Sequence, residues 1–148
     1  FSSSNDRLAG YYRAMKEADL RIRPDFIAKG DFLYKGGAAA MTYLLSLTDQ
    51  PTAVFCSNDM MAIGAMSAIR NKRLTIPEDI SLVGFDDIEL AAAMSPALTT
   101  IAQPVDEIAR VAVTTLIGRI KGDQDDPKQL IILQGKLMVR DSTAVRMN

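Results

Sequence analysis

The polar chemistry of this chain is concentrated in a few places: Ser57-Asn58-Asp59, Asp86-Asp87, Arg7 near the amino end, and the acidic run Asp123-Gln124-Asp125-Asp126. Histidine is absent and Cys56 is the single cysteine. Serine–histidine and cysteine–histidine nucleophile pairs are thereby excluded, and so are the common zinc sites. What remains is carboxylate, amide, hydroxyl and guanidinium chemistry, which suits ligand binding better than catalysis. The expectation is a non-enzyme without cofactor, metal or catalytic residue.

Each candidate carries a plain reading beside a functional one. Asp86 and Asp87 could form a general acid and base pair, but neighbours on a strand point to opposite faces and would not share a substrate. They read as a turn with a helix cap, or as a site where Asp86 alone faces a crevice and accepts from a hydroxylated ligand; the local signal favours the cap. Asn58 is a good helix cap and could also offer its amide to a ligand, while Asp59 suits the positive end of a helix dipole. Arg7 near a helix start opposes that dipole, so a fixed partner would explain it; local grounds alone favour a solvated side chain. Phe32, after Gly30-Asp31 at an expected strand end, is either core or a ring that stacks on a sugar face or nucleobase. The run 123–126 lacks the central glycine and terminal glutamate of a calcium loop and reads as a solvated loop. Gly36-Gly37 lacks the rest of any phosphate-binding motif.

The elements that must position these groups follow from periodicity. Helices are predicted over 5–20 (capped by Ser4 or Asn5), 38–47, 59–70 (capped by Asn58) and 105–121, the last with Pro104 at its first turn. Lys35-Gly36-Gly37 reads as a break. Strands are predicted over 27–32, 52–56, 80–85, 98–102 and 130–139, with 52–56 and 80–85 buried. Helices alternating with near-continuous apolar strands predict an α/β domain, a doubly wound parallel sheet covered on both faces. In such sheets ligands sit beyond the carboxyl ends of the strands. Two strands deliver polar clusters there, one ending at Ser57-Asn58-Asp59 and one at Asp86-Asp87.

The chain's 148 residues make about one domain. Its 17 basic and 18 acidic residues leave a net charge of −1, so no field draws it to a polyanion. No apolar run is long enough for a membrane helix. A lone cysteine excludes an internal disulfide and fits a reducing compartment. The chain opens at Phe1 without an initiator methionine, and Phe1 to Ser4 has no basic or apolar leader segment, so it reads as a piece of something longer or as a mature secreted protein with its signal removed; the compartment expected is the cytoplasm.

Taken together, Arg7-Leu8-Ala9-Gly10, Gly30-Asp31-Phe32, Pro51 through Cys56, Asn58-Asp59 with Met61-Ala62 and Gly64-Ala65, Ile76 through Ser81, Gly84-Phe85-Asp86-Asp87, Leu98 through Ile101 and Gln103-Pro104 stand in order at family spacing. The chain thereby resembles the effector-binding core of LacI/GalR-family transcriptional repressors, nearest the purine and cytidine branch. The resemblance implies a two-lobed, periplasmic-binding-protein-like core with the effector held between lobes. Residues 1–103 and 130–148 would belong to the C-terminal lobe and 104–129 to the N-terminal lobe, with the DNA-binding headpiece absent. It implies that Arg7 grips effector atoms, Asp86 accepts from sugar hydroxyls, Phe32 stacks on the effector, and Asn58 and Ser3 add polar contacts. Phe1 departs from the purine branch, which has a cationic contact there. The implied partners are a small-molecule effector (nucleoside, nucleobase or sugar), operator DNA through the missing headpiece, and a second copy in a homodimer, through surfaces near 60–72 and 88–95 that include Met60, Ala91, Ala92, Ala93 and Met94. No membrane is implied. The alternative reading is a periplasmic sugar or solute-binding protein, which shares the architecture; an α/β nucleoside hydrolase is disfavoured by the missing histidines.

Overall fold

Asn58 shows how local chemistry sets the boundaries of this fold. In the computed structural model, which describes residues 2–122 and 130–145, its backbone is extended (φ −155°, ψ 170°) and its side chain accepts from the Met61 amide at 2.9 Å. One of the orphan donors of a helix start is thereby satisfied. The elements in order are α1 (Ser2–Glu17), a 3-10 turn (Pro24–Phe26), α2 (Tyr34–Leu44), β1 (Ala53–Phe55), α3 (Asp59–Asn71), β2 (Ser81–Asp86), α4 (Glu89–Ala93), β3 (Thr99–Ala102), α5 (Val105–Lys121) and β4 (Lys136–Met138).

The sheet runs β1-β2-β3-β4. The first three strands are parallel, with Ala53 beside Ser81 and Val83 beside Thr99. The last is antiparallel to β3, with Ile101 opposite Leu137. A buried serine then stitches the returning chain to the sheet: the Ser142 hydroxyl donates to the Leu82 carbonyl at 2.6 Å and accepts from the Thr99 amide at 2.8 Å.

Helices α2 and α3 carry the core. Met41, Leu44 and Leu45 meet Met61, Ala65, Met66 and Ile69, and Leu82, Ala91 and Leu98 close the cluster from the sheet and α4. Two glycines allow this. A Cβ on Gly37 would overlap the Met61 backbone, and one on Gly64 would overlap the Tyr34 carbonyl. Close approach of two helix backbones explains why α2 runs through Lys35-Gly36-Gly37 instead of starting after it. A helical glycine costs roughly 0.5–1 kcal/mol against alanine.

The predicted α/β arrangement is present with three parallel strands, but the sheet is mixed because β4 runs antiparallel, and it differs in further details. Residues 27–32 form no strand, and of 130–139 only 136–138 pairs. Strand β1 is not buried: Ala53 and Phe55 are exposed, because its outer edge has no strand beside it and a cavity separates it from residues 26–32. On β2, Leu82 and Gly84 are buried while Val83 and Phe85 are only partly covered, so one face of the sheet is sealed and the other half open. Helix α1 begins at Ser2, which places Ser4 and Asn5 within its first turns, not at its cap. Helix α5 has the predicted bounds and buries none of its residues.

Candidate functional site

Three parallel strands end side by side, and each hands over a polar group. Strand β1 leads to the Ser57 carbonyl, β2 ends at Asp86, and β3 leads to Gln103. Arg7, on the second turn of α1, reaches across them. Its Nη1 donates to the Ser57 carbonyl at 2.5 Å, its Nη2 stands 3.9 Å from Asp86 Oδ1, and its guanidinium lies 3.9 Å from the centre of the Phe85 ring. With only 18% of its side chain exposed, Arg7 is held rather than solvated. A cation over an aromatic face and a carboxylate at its edge fix the planar fork without using all its donors.

Asp86 also accepts from Gln103 Nε2 at 2.6 Å. Asp87 points the other way, into an ion pair with Arg140 Nη2 at 2.7 Å. The two carboxylates therefore serve different partners and do not form a catalytic pair. The turn is strained: φ is 115° at Asp86 and 58° at Asp87. Positive φ at a residue with a side chain costs about 1–3 kcal/mol, while a hydrogen bond to a charged group contributes about 1.5–3 kcal/mol. The anchors on this turn are thus of the size needed to hold it.

Phe32 stands in a loop, not at a strand end, with φ 66°. Its carbonyl accepts from Asn58 Nδ2 at 2.9 Å. Asn58 consequently spends one amide hydrogen on Phe32 and its oxygen on the α3 amide, so it supports the Phe32 loop as well as capping the helix. A cavity of about 830 Å³ is lined by Arg7, Phe32 and the polar residues Ser4, Asn5, Asp31 and Ser57, while Asn58, Asp86 and Gln103 stand outside its lining. The rest of its lining is largely apolar and includes Phe26, Ile27, Met41, Leu44, Val54 and Phe55. That volume falls in the range of small-molecule sites.

Of the predicted site residues, the structure brings Arg7 to ion-pair distance of Asp86 (3.9 Å), sets Phe32 on the same cavity as Arg7, and ties Asn58 to Phe32, but neither Asp86 nor Asn58 lines that cavity. Ser3 is exposed and does not line the cavity; a helix turns about 100° per residue, and Ser4 takes the inward place instead. Of the apolar residues placed at a dimer face, Met60, Ala92 and Ala93 are exposed and Met94 half-buried, but Ala91 is in the core. Sequence reasoning did not weigh Phe85, Gln103 or Arg140 as site residues. Gln103 had a usable signal, since it follows β3 as Ser57 follows β1; Phe85 and Arg140 had none.

Two buried groups complete the electrostatics. Burial pushes the Cys56 thiol up to about 12, helped by the Asp59 charge, so it is inert as a nucleophile at neutral pH. Burial likewise raises the Asp59 carboxyl above its ordinary range, against the hydrogen bonds from Thr100 and Ile88. Among the described residues no cluster of three or more acidic or sulfur ligands could hold a metal, and no helix is long and apolar enough to cross a membrane. The 123–126 run lies outside the described residues.

The pattern of the periplasmic binding protein-like domain matches residues 1–143. The ribose operon repressor of Haemophilus influenzae is 41% identical over 141 residues, 95% of this chain and 42% of that protein. The HTH-type transcriptional repressor CytR of Escherichia coli K12 is 42% identical over 137 residues, 93% of this chain and 40% of that protein. Among solved structures, the transcriptional regulator CelR–cellobiose complex superposes with a TM-score of 0.88 at 35% identity, covering 92% of this chain and 41% of that one. The chain spans about two fifths of the length of these relatives.

Proposed function

Because this chain belongs to the periplasmic-binding-protein-like domain family, in its LacI-type branch, we propose that it is the effector-sensing part of a bacterial transcriptional regulator. Its ligand is a small sugar, nucleoside or nucleobase, taken between this lobe and a second one. The observation that carries the reading is the convergence of Arg7, Asp86 and Gln103 at the carboxyl ends of parallel strands, with Phe32 on the adjoining cavity. A carboxylate with spare lone pairs accepts two hydroxyl hydrogens, a guanidinium donates to ring or hydroxyl oxygens, and a ring covers an apolar sugar face or a base. Ser57, Phe85 and Gln103 hold Arg7 and Asp86 in place before ligand arrives, which lowers the ordering cost of binding.

Residues 1–103 and 130–148 act as the C-terminal lobe, and α5 carries its apolar stripe to the other lobe. No bond is made or broken. The effector closes the lobes, and it shifts the regulator between forms only by its difference in affinity for them. In the whole regulator, a homodimer presents a headpiece to operator DNA in the cytoplasm. The rival, a solute-binding protein of the periplasm, has the same lobes, but the named relatives are repressors.

Isothermal titration of the whole regulator against ribose, cytidine, adenosine, guanine, hypoxanthine and cellobiose tests the reading. One of these is expected to bind, and Asp86→Ala to weaken it about 10- to 100-fold, as loss of a hydrogen bond to a charged group implies. Unchanged affinity in Asp86→Ala would remove that residue from the site, and silence across the series would sink the effector class.

A further inference from the structure

Asp59 opens α3 at the positive end of its dipole, yet its carboxyl is buried, which that role does not require. Its side chain is fully covered, and capping of α3 already falls to Asn58. Its carboxylate instead makes its bonds across the sheet. Oδ1 accepts from the buried Thr100 hydroxyl at 2.6 Å, and Oδ2 accepts from the Ile88 amide at 2.9 Å. Thr100 is on β3, and Ile88 is the first residue after the strained pair Asp86-Asp87. A buried carboxylate is costly unless well bonded, so its partners indicate what it is kept for.

We propose that Asp59 is a positioning residue of the effector site, clamping the Asp86-Asp87 turn to β3 so that Asp86 faces Arg7 and Gln103. This rests on the effector-binding reading above. Gly84 supplies an independent sign. It stands beside Thr100 in the sheet register and two residues before Asp86. A Cβ there would collide with Asp59 Oδ1 and come within 2.9 Å of the Leu98 side chain. The strand is left bare where the carboxylate passes over it, so the clamp and the strand leading into the turn fit as one unit. Positive φ at two consecutive aspartates does not persist unless the surroundings over-determine it. On one side Arg140 holds Asp87, and Asp59 holds the next amide. Without the clamp the turn relaxes and the Asp86 carboxylate swings out of reach of Gln103.

The test has a ligand-free arm and a binding arm, both on the whole regulator. Amide exchange at Ile88 is expected to quicken at least tenfold in Asp59→Ala while Leu82 in β2 is unchanged, and to stay within about threefold in Asp59→Asn, which keeps an acceptor for Ile88. Titration with ribose and cytidine forms the second arm. For whichever binds, Asp59→Ala is expected to match Asp86→Ala, the double variant to be no weaker than Asp86→Ala alone, and Asp59→Asn to rescue. A residue acting only through Asp86 shows that non-additivity, whereas a merely structural one does not. Unchanged Ile88 exchange, or a further full loss in the double variant, overturns the proposal. Should neither compound bind the unaltered protein, the titration is run with whichever of the six compounds above does; silence across all six counts against the effector reading, while the exchange arm still decides the clamp. Where Asp59→Ala fails to fold, Thr100→Val removes one partner at constant shape and is expected to quicken Ile88 exchange severalfold; no change there overturns it too.

Discussion

Helix α3 buries nine of its thirteen residues, whereas α5, longer and just as regularly striped, buries none. Both stripes have helical spacing, and both helices open with acidic residues in the first turn and close with basic ones in the last. Only their surroundings separate them. Opposite α3 lies α2, brought close by Gly37 and Gly64, with the sheet beneath. Along α5, Val113, Leu116, Ile117 and Ile120 face outward with no described element against them. An apolar stripe states that a helix requires a partner; it does not state that the same stretch of chain supplies it.

The contrast is broken most forcefully by truncation. Met66, fully buried in α3, is expected to cost about 2–5 kcal/mol as Met66→Ala, while Leu116→Ala, 59% exposed, is expected to stay within about 0.5 kcal/mol. Urea unfolding of the isolated chain reads both, and comparable losses would mean that α5 packs where the structure leaves it bare. Next comes association. Surface apolar patches of this kind drive self-contact, so this chain alone is expected to scatter light above its monomer mass of 16.1 kDa, and Leu116→Lys with Ile120→Lys to bring it down. A clean monomer from the unaltered chain, without hydrophobic-dye binding, would refute that.

The smallest effect sharpens the α3 side. Burial raises the Asp59 carboxyl, the neighbouring Asp86 charge adds to the rise, and Cys56, the other titratable group facing it, stays neutral. The folded state therefore holds its proton more tightly than the unfolded chain, and stability is lost as pH climbs from the ordinary aspartate value through the raised one. Asp59→Asn is expected to lack that slope. Thermal melts of both proteins from acid to neutral pH check it, and parallel curves would show that the carboxyl does not titrate in the fold.

Much of this architecture was legible because the responsible signals are local. Asn58 caps α3, Pro104 precedes α5, and the apolar runs ending at Phe55 and Asp86 place the rim where polar groups gather. Reading failed where a segment depends on something distant. Residues 27–32 have strand-like composition and no ladder, since pairing requires a neighbour. Gly36-Gly37 resembles a break and is helix, because the reason for a glycine at 37 is Met61, far along the chain.

At the site the division is similar. Local reading gave Asp86 and Asp87 opposite directions, which their partners Arg7, Gln103 and Arg140 bear out. It left Arg7 solvated, which the structure overturns, and it placed Asp59 at the start of the α3 dipole, where it stands, without its bonds to Thr100 and Ile88. The order of residues by itself determined which stretches are helical, which ends are capped and which chemistries are possible, since those depend on neighbours within a turn or two. Tertiary structure alone decided that Arg7 is gripped between Phe85 and Ser57, that Asp59 reaches Thr100 and Ile88, and that α5 stands uncovered. Contacts across the sheet depend on how the chain folds back upon itself, and short-range spacing carries no record of that.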